Sequence, residues 1–206
     1  MQNVLAVLFR KESEGFQAIT ELRNAPATET STILQMALIK RQGQTISLCD
    51  SFDSGMQTGS HAVIGGLMGS LLGILGGPIG VLLMGSYGML AGSMVGSAET
   101  LDSAAMIEIV SNKTLDGEVA LVALVEETDE AELDGRLKKF DAEVARFDAA
   151  VVAEEVEEAL QIQKEMDRQA RRQLREVKKA EHKESIENRR AKLSADFEAF
   201  KKSLQG

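Results

Sequence analysis

The side chains that could do chemistry in this chain are few and scattered. There is one cysteine, Cys49, and two histidines, His61 and His182. A nucleophile or metal site needs such groups clustered with a base or with further ligands, and no histidine lies near Cys49 in the sequence. The sequence also lacks a phosphate-binding glycine loop, a nucleophile elbow and a paired acid and base. It therefore predicts a protein that is not an enzyme and that uses neither a metal nor a cofactor.

The same residues have plain structural interpretations. Cys49 lies in a β-prone run, where we expect it to pack as a small apolar side chain. His61 begins an apolar segment, which favours an interfacial or capping role. An acidic cluster follows Thr128, which can cap a helix there, and the acids suit the positive end of the helix dipole better than a metal or catalytic site. The cluster consists of Asp129, Glu130 and Glu132.

The strongest pattern in the chain is a glycine zipper. No charged residue lies between Asp53 and Glu99. Within that stretch glycine recurs at every fourth position, at Gly65, Gly69, Gly73 and Gly77 and again at Gly88, Gly92 and Gly96. Glycine weakens a helix in water by roughly 1 kcal/mol per residue relative to alanine, so its repetition favours helices whose backbones approach closely.

Gly76, Gly77 and Pro78 interrupt the apolar segment and predict a tight turn between two antiparallel helices, His61–Leu75 and Ile79–Ala98. Crossing the ~30 Å hydrocarbon core of a bilayer takes ~20 residues, which the first arm reaches only if it begins near Met56. The hairpin could span a membrane, enter it from one side, or be buried in the centre of a soluble oligomer. We expect membrane insertion.

The flanking sequence predicts a compact α+β domain. Apolar strands are predicted at Val4–Phe9 and Val119–Val125, a hairpin at Thr32–Lys40 and Gln44–Asp50, and helices at Ser13–Asn24 and Thr100–Asn112. Without the glycine segment the order is βαββαβ, which predicts a ferredoxin-like fold. A helix at Asp129–Phe140 and a weaker strand at Glu143–Phe147 follow it.

The C-terminal region predicts one long charged helix, because no glycine or proline occurs from Ala153 to Leu204. Two apolar seams with coiled-coil spacing run along it. They consist of Met166, Ala170, Leu174 and Val177 and of Leu193, Phe197, Phe200 and Leu204. The seams are out of register, so we expect a bend, a register change or a change of partner within Lys178–Lys192. The predicted parts are therefore an αβ domain (1–52 and 99–150), the glycine hairpin (53–98) and this helix (151–206).

Charge is distributed unevenly along the chain. Residues 99–160 carry eighteen acids and five bases, whereas residues 161–192 carry eleven bases and six acids. Some of the bases form one stripe on the helix, opposite the first seam: Arg168, Arg172, Arg175, Lys179 and His182. Adjacent like charges destabilise a helix, which argues for an anionic partner along the stripe; a solvated face is the equal alternative. The candidates are anionic lipid and an acidic segment of another copy, Glu154, Glu155, Glu157 and Glu158.

The arrangement resembles a bacterial and archaeal family of predicted membrane proteins, catalogued as domain of unknown function number twelve sixty-nine. The resemblance covers essentially the whole chain and rests on three segments, VLAVLF, GGLMGSLLGILGGPIG and LDGEVALVALVEE. It implies membrane association and no established activity, so no functional residue is carried over from the family.

These observations predict a non-enzymatic, self-assembling membrane protein whose partners are itself and a lipid bilayer. The N-terminus lacks signal-peptide features, so we expect the bacterial inner membrane with the αβ domain in the cytoplasm. The alternatives are an oligomeric pore or mechanosensitive-type channel, and a soluble cytoplasmic homo-oligomer that binds a small ligand and buries the hairpin. Nucleic acid is not an expected partner, because the αβ part is acidic and the chain has no tryptophan for stacking.

Overall fold

A computed structural model describes residues 1–25, 27–55, 61–84 and 105–203. The architecture is α+β, as predicted: five strands form an antiparallel sheet with helices on both faces. In chain order the elements are β1 (Gln2–Phe9), α1 (Glu12–Arg23), β2 (Ser31–Gln42), β3 (Thr45–Asp53), α2 (His61–Leu75), α3 (Pro78–Met84), α4 (Met106–Lys113), β4 (Val119–Glu127), α5 (Glu130–Leu137), β5 (Ala142–Asp148) and α6 (Ala149–Ser203).

The strand order of the sheet is β3-β2-β4-β1-β5. β1 lies between β4 and β5, so that Val4 pairs with Leu124 on one side and with Phe147 on the other. β4 in turn pairs with β2, where Ala37 lies opposite Val122. The two strands that unbroken apolar runs predict, β1 and β4, are thus interior strands with both faces covered, as such runs require.

The ferredoxin-like arrangement is not confirmed. It would place the third strand between the first two and both helices on one face, whereas here β4 lies between β1 and β2. The side chains explain this order. β3 exposes Thr45, Leu48 and Cys49 and suits an edge, while the seven residues from Val119 to Val125 are all buried and need neighbours on both sides.

Each face of the sheet has its own hydrophobic core. On one face α1 and α5 bury Ile19, Leu22, Leu133 and Leu137 against alternate residues of β1, β2 and β4. On the opposite face α2, α3, α4 and the first turns of α6 cover the other residues of the same strands. Period-two alternation along each strand divides the apolar side chains between these two cores.

The described part of the glycine-rich segment, α2 and α3, belongs to the second core. α2 has the bounds that the sequence predicts, and it buries Leu71, Ile74 and Leu75 completely. α3 begins the second arm, of which residues 85–98 lie outside the described residues. The chain turns between the helices through hydrogen bonds from the Gly76 N–H to the Leu72 carbonyl at 2.9 Å and from the Gly77 N–H to the Ile74 carbonyl at 3.1 Å.

α6 is helical without interruption from Ala149 to Ser203, and it begins two residues before the predicted start at residue 151. The chain divides into two compact units, Met1–Gln161 and Ile162–Gly206, so α2 and α3 belong to the same unit as the sheet. The segment from Lys178 to Lys192 stays helical, and a bend or change of partner there remains a prediction. Among the described residues, no helix combines the length and the hydrophobicity needed to cross a membrane.

Candidate interaction surfaces

Gly66, Gly69 and Gly73 of α2 lie on the side of the helix that faces away from the sheet. Gly66, Gly69 and Gly73 are exposed, while Leu71 and Ile74 point into the core. A Cβ atom added at any of these three glycines would meet no atom of the described residues within 4 Å. The described chain therefore leaves a side-chain-free strip on α2 that is open to another backbone.

The remaining zipper glycines divide into two groups. Gly88, Gly92 and Gly96 lie outside the described residues, as do the surroundings of Gly65. Gly77 belongs to the turn, where an added Cβ would lie 2.6 Å from the carbonyl oxygen of Gly73. The pattern did not single out Gly80, although a Cβ there would lie only 2.0 Å from the carbonyl oxygen of Leu75. Its role depends on how α3 packs against the end of α2, which a four-residue repeat does not encode.

The apolar seam of the second unit is open. Leu174 is 59% exposed and Val177 is 54% exposed, and Ala170 is also exposed. Met166 is half-buried. Of the second predicted seam, Leu193, Phe197 and Phe200 lie in α6, but nothing is described of their side chains, and Leu204 lies outside the described residues. An exposed row of large apolar side chains along a helix is typical of a surface that binds another helix.

The basic stripe is exposed along its whole length. Arg168, Arg172, Arg175, Lys179 and His182 are all exposed, and Arg171 and Lys178 add two further cations beside them. No ion pair joins two of the described side chains between residues 162 and 179. Like charges four residues apart, as at Arg171 and Arg175, each cost a few tenths of a kcal/mol. The helix thus presents a concentrated positive surface.

The acidic segment at the start of α6 is only partly available to a partner. Glu154, Glu157 and Glu158 are exposed. Glu155, which the sequence grouped with them, is instead half-buried beside the N-terminus of α4. Burial raises the pKa of its carboxyl, although the nearby backbone N–H groups of Met106 and Ile107 favour the charged form. Its Oε2 is buried without a hydrogen-bond partner among the described residues.

The predicted acidic cluster around α5 stabilises the fold through a helix cap and side-chain hydrogen bonds. Asp129, rather than Thr128, is the N-cap, and its carboxylate accepts the backbone N–H of Ala131 at 2.9 Å. The Glu132 carboxylate accepts hydrogen bonds from the hydroxyls of Thr30 and Thr28 and from Arg136, and these bonds lower its pKa to about 2. Capping, as the sequence favoured, is confirmed for Asp129.

A buried carboxylate that sequence reasoning missed lies near this cluster. The Glu127 side chain is only 1% exposed, and its Oε1 accepts hydrogen bonds from Asn3 at 2.9 Å and Arg146 at 3.0 Å. Arg146 also pairs with Asp134 at 2.7 Å. A glutamate at the end of an apolar strand was the available signal. Because this ion pair holds β4, β5 and α5 together, we interpret it as structural.

Cys49 lies in β3, as predicted, but it is exposed rather than packed. It is the extra residue of a β-bulge, because Leu38 pairs with Asp50 while Ile39 pairs with Leu48. Partial burial, followed by the charge of Glu12, raises the pKa of the thiol above its ordinary value. A raised pKa reduces the thiolate fraction, which makes Cys49 a poor nucleophile. His61 begins α2, and its side chain is outside the described part of the chain.

A cleft of about 230 Å³ opens between the end of α1, the start of β2, the end of β3 and α5. Ile33 and Phe52 supply apolar walls, and Ser31, Arg23 and Arg136 supply polar groups. Both arginines already have partners: Arg23 pairs with Asp50 at 2.7 Å and Arg136 with Glu132 at 2.8 Å. The cleft could hold a small molecule with mixed polar and apolar groups.

Comparisons of the chain with protein-family models, curated proteins and solved structures give no match. The resemblance drawn from the three sequence segments therefore stays a prediction.

Proposed function

We propose that this chain is a non-enzymatic protein that assembles with copies of itself at a membrane. The observation that carries the proposal is the second unit, in which an exposed apolar seam and an exposed basic stripe occupy one long helix. The apolar seam suits an apolar helix face, and the basic stripe suits an anionic partner. The open glycine strip on α2 adds a third surface, suited to close helix packing.

The seam needs a partner for an energetic reason. Most of the stability of a protein helix comes from packing of its apolar face rather than from helix propensity. Burying a leucine or valine side chain contributes about 1.5–3 kcal/mol, and Leu174 and Val177 leave most of that unrealised in a single copy. Pairing of two seams as a coiled coil would supply it.

Membrane association is proposed from the uncharged stretch between Asp53 and Glu99. Its apolar side chains on α2 pack in the core of the αβ unit, whereas the glycine side of α2 is free. We therefore propose that the hairpin meets lipid, or a second hairpin within lipid, through the glycine side together with residues 85–98. The predicted glycine zipper then acts between copies or between arms.

A substitution in the seam tests the proposal. Leu174→Asn removes a seam side chain without changing charge, and Gln169→Asn makes a similar change to a polar side chain off the seam. We expect Leu174→Asn to reduce the native mass of the full chain in mild detergent, and Gln169→Asn to leave it as in the wild type. Light scattering gives the mass. Equal masses for all three chains would contradict a role of the seam in assembly.

Flotation with liposomes tests the membrane part separately, because the hairpin rather than the seam should carry it. We expect the wild type and Leu174→Asn to float equally with liposomes. Recovery of the wild type in the aqueous fraction, without detergent, would instead favour a soluble oligomer.

A soluble module that binds a small ligand is the second candidate, and the cleft beside Arg23 and Arg136 is the observation that favours it. A ligand in this cleft would raise the melting temperature of the protein in proportion to its occupancy. Such stabilisation, combined with no flotation, would favour this candidate over assembly at a membrane.

A further inference from the structure

Two oppositely charged sets of residues on α6 have matching spacing when one is read backwards. The acids Glu154, Glu157 and Glu158 are separated by three residues and then one. The bases Arg175, Arg172 and Arg171, read toward the N-terminus, are also separated by three residues and then one. All six side chains are exposed, and no ion pair engages any of them within the described residues.

The two sets cannot satisfy each other within one chain. Along a helix only residues three or four apart face each other, and more than three turns of sequence separate Glu158 from Arg171. Glu155 does not compete for the bases, because its side chain is half-buried beside the N-terminus of α4. Both sets therefore have their charges available to another molecule.

We propose that α6 pairs antiparallel with α6 of a second copy through these charges, an inference that rests on the proposed self-assembly. In this register Glu154 faces Arg175, Glu157 faces Arg172 and Glu158 faces Arg171 of the other copy. The two-fold axis passes between Lys164 and Glu165, so that each of these two residues also faces the opposite charge. A two-fold interface uses the same patch on both copies, and every pair therefore occurs twice.

A second copy fits this surface better than a lipid headgroup does. Anionic lipid would be attracted to the bases but repelled by the acids, and it would not require matched spacing. The interface is also distinct from the seam, since the basic stripe lies on the opposite side of the helix from Ala170, Leu174 and Val177. Each α6 can thus contact two neighbours, one through charge and one through apolar side chains.

Charge reversal gives a direct test on the full chain. One variant carries Glu154→Arg, Glu157→Arg and Glu158→Arg, and the other carries Arg171→Glu, Arg172→Glu and Arg175→Glu. Each alone places like charges opposite each other and should weaken self-association about tenfold or more. Mixed one to one, the two variants are complementary at every position and should associate again. Reversal of Glu29, Glu126 and Asp141 to arginine is the control for net charge, because these exposed acids lie outside α6.

Cross-linking tests the register itself. In a Cys49→Ser background, a chain with Gln161→Cys should form a disulfide with a chain carrying Arg168→Cys, because these positions face each other. Gln161→Cys alone should not cross-link to itself, whereas a parallel pairing would link it. The background and both cysteine positions leave the charge pairs intact.

The outcomes separate this interface from the proposed function. A wild type that stays monomeric at every concentration would contradict both. A wild type that associates, while the reversed variants keep its mass or their mixture stays dissociated, would contradict only the charge interface. Self-linked Gln161→Cys chains would overturn the antiparallel register.

Discussion

Single residues show where glycine is required by contact and where it is only permitted. At Gly80 an added Cβ would lie 2.0 Å from the Leu75 carbonyl oxygen, whereas at Gly69 it would meet none of the described atoms within 4 Å. A glycine-rich sequence does not distinguish a glycine that contact requires from one that contact only permits. The sequence therefore predicts a zipper, which stays a prediction, but it does not predict the constraint on Gly80, because that constraint arises where two helices meet.

This difference gives a prediction for unfolding. Gly80→Ala should lower the free energy of unfolding by about 1–3 kcal/mol, since the backbone of Leu75 would have to move. Gly69→Ala should leave it unchanged or raise it by up to about 1 kcal/mol, through helix propensity alone. Denaturant unfolding followed by circular dichroism measures both. Equal destabilisation by the two substitutions would contradict the described packing of α2 and α3.

Gly69→Leu then tests the zipper itself, because the described residues of a single chain leave room for a side chain at this position. Loss of native mass with an unchanged melting temperature would support close packing at this glycine. An assembly that forms as in the wild type would contradict it.

Glu132 gives a prediction for pH dependence. The hydroxyls of Thr30 and Thr28 and the Arg136 guanidinium lower its pKa from 4.5 to about 2. A carboxyl whose pKa is lower in the folded state stabilises the fold above its unfolded pKa, and loses that contribution as pH falls toward the folded value. Glu132→Gln should thus lower the melting temperature above pH ~5 and have progressively less effect between pH ~4.5 and ~2.

Melting curves at several pH values measure this, with Glu126→Gln as a control at an exposed carboxylate on β4. A difference between wild type and Glu132→Gln that persists unchanged at pH ~2 would show that the carboxylate charge is not what stabilises this cluster.

At the scale of elements, local periodicity predicted most helices and strands but not their neighbours in the sheet. The bounds of α2 agree with the prediction, and those of β1, β4 and α1 agree closely. The order of the strands in the sheet could not be predicted in the same way, because one βαββαβ order along the chain is compatible with more than one sheet topology. Burial decides between them: β4 is apolar on both faces and takes an interior place, and β3 exposes alternate residues at an edge.

The edge formed by β3 is partly closed by side chains. The Ser51 N–H donates to the Asp50 carboxylate at 2.7 Å, and the Ser51 carbonyl accepts from Arg23 at 3.2 Å. Arg23 in turn pairs with Asp50 at 2.7 Å. Natural sheets protect their edge strands with such charged groups against pairing with other chains.

We therefore predict that Arg23→Ala increases aggregation through β3, with little change in melting temperature because the ion pair is half-exposed. Lys11→Ala, which removes an exposed ion pair between the N-cap residue of α1 and Glu14, is the matched control. Turbidity and light scattering during prolonged incubation measure the effect. Equal aggregation of the two variants would mean that Arg23 does not protect the edge.

At the scale of the whole molecule, the number of interfaces on α6 decides how many other copies one chain can contact. A single interface of two-fold symmetry closes a dimer, whereas two separate interfaces on one helix extend an assembly. The seam, the charges and the long helix were all visible in the sequence. Only the structure separates Glu155, which is half-buried beside α4, from the exposed acids Glu154, Glu157 and Glu158.

Salt should act on the two interfaces in opposite directions. Exposed charge pairs are screened beyond ~8–10 Å at physiological ionic strength, so the charge interface should weaken as salt rises. Burial of the seam is not screened and is strengthened by sulfate. Raised sodium chloride is thus expected to reduce an extended assembly to pairs joined by their seams.

The native mass of the full chain tests self-assembly most directly. It is to be measured by light scattering in mild detergent at low salt over a range of concentrations. Self-assembly predicts a mass that rises with concentration to at least twice the 22.3 kDa of one chain. A constant mass of 22.3 kDa at every concentration would contradict it.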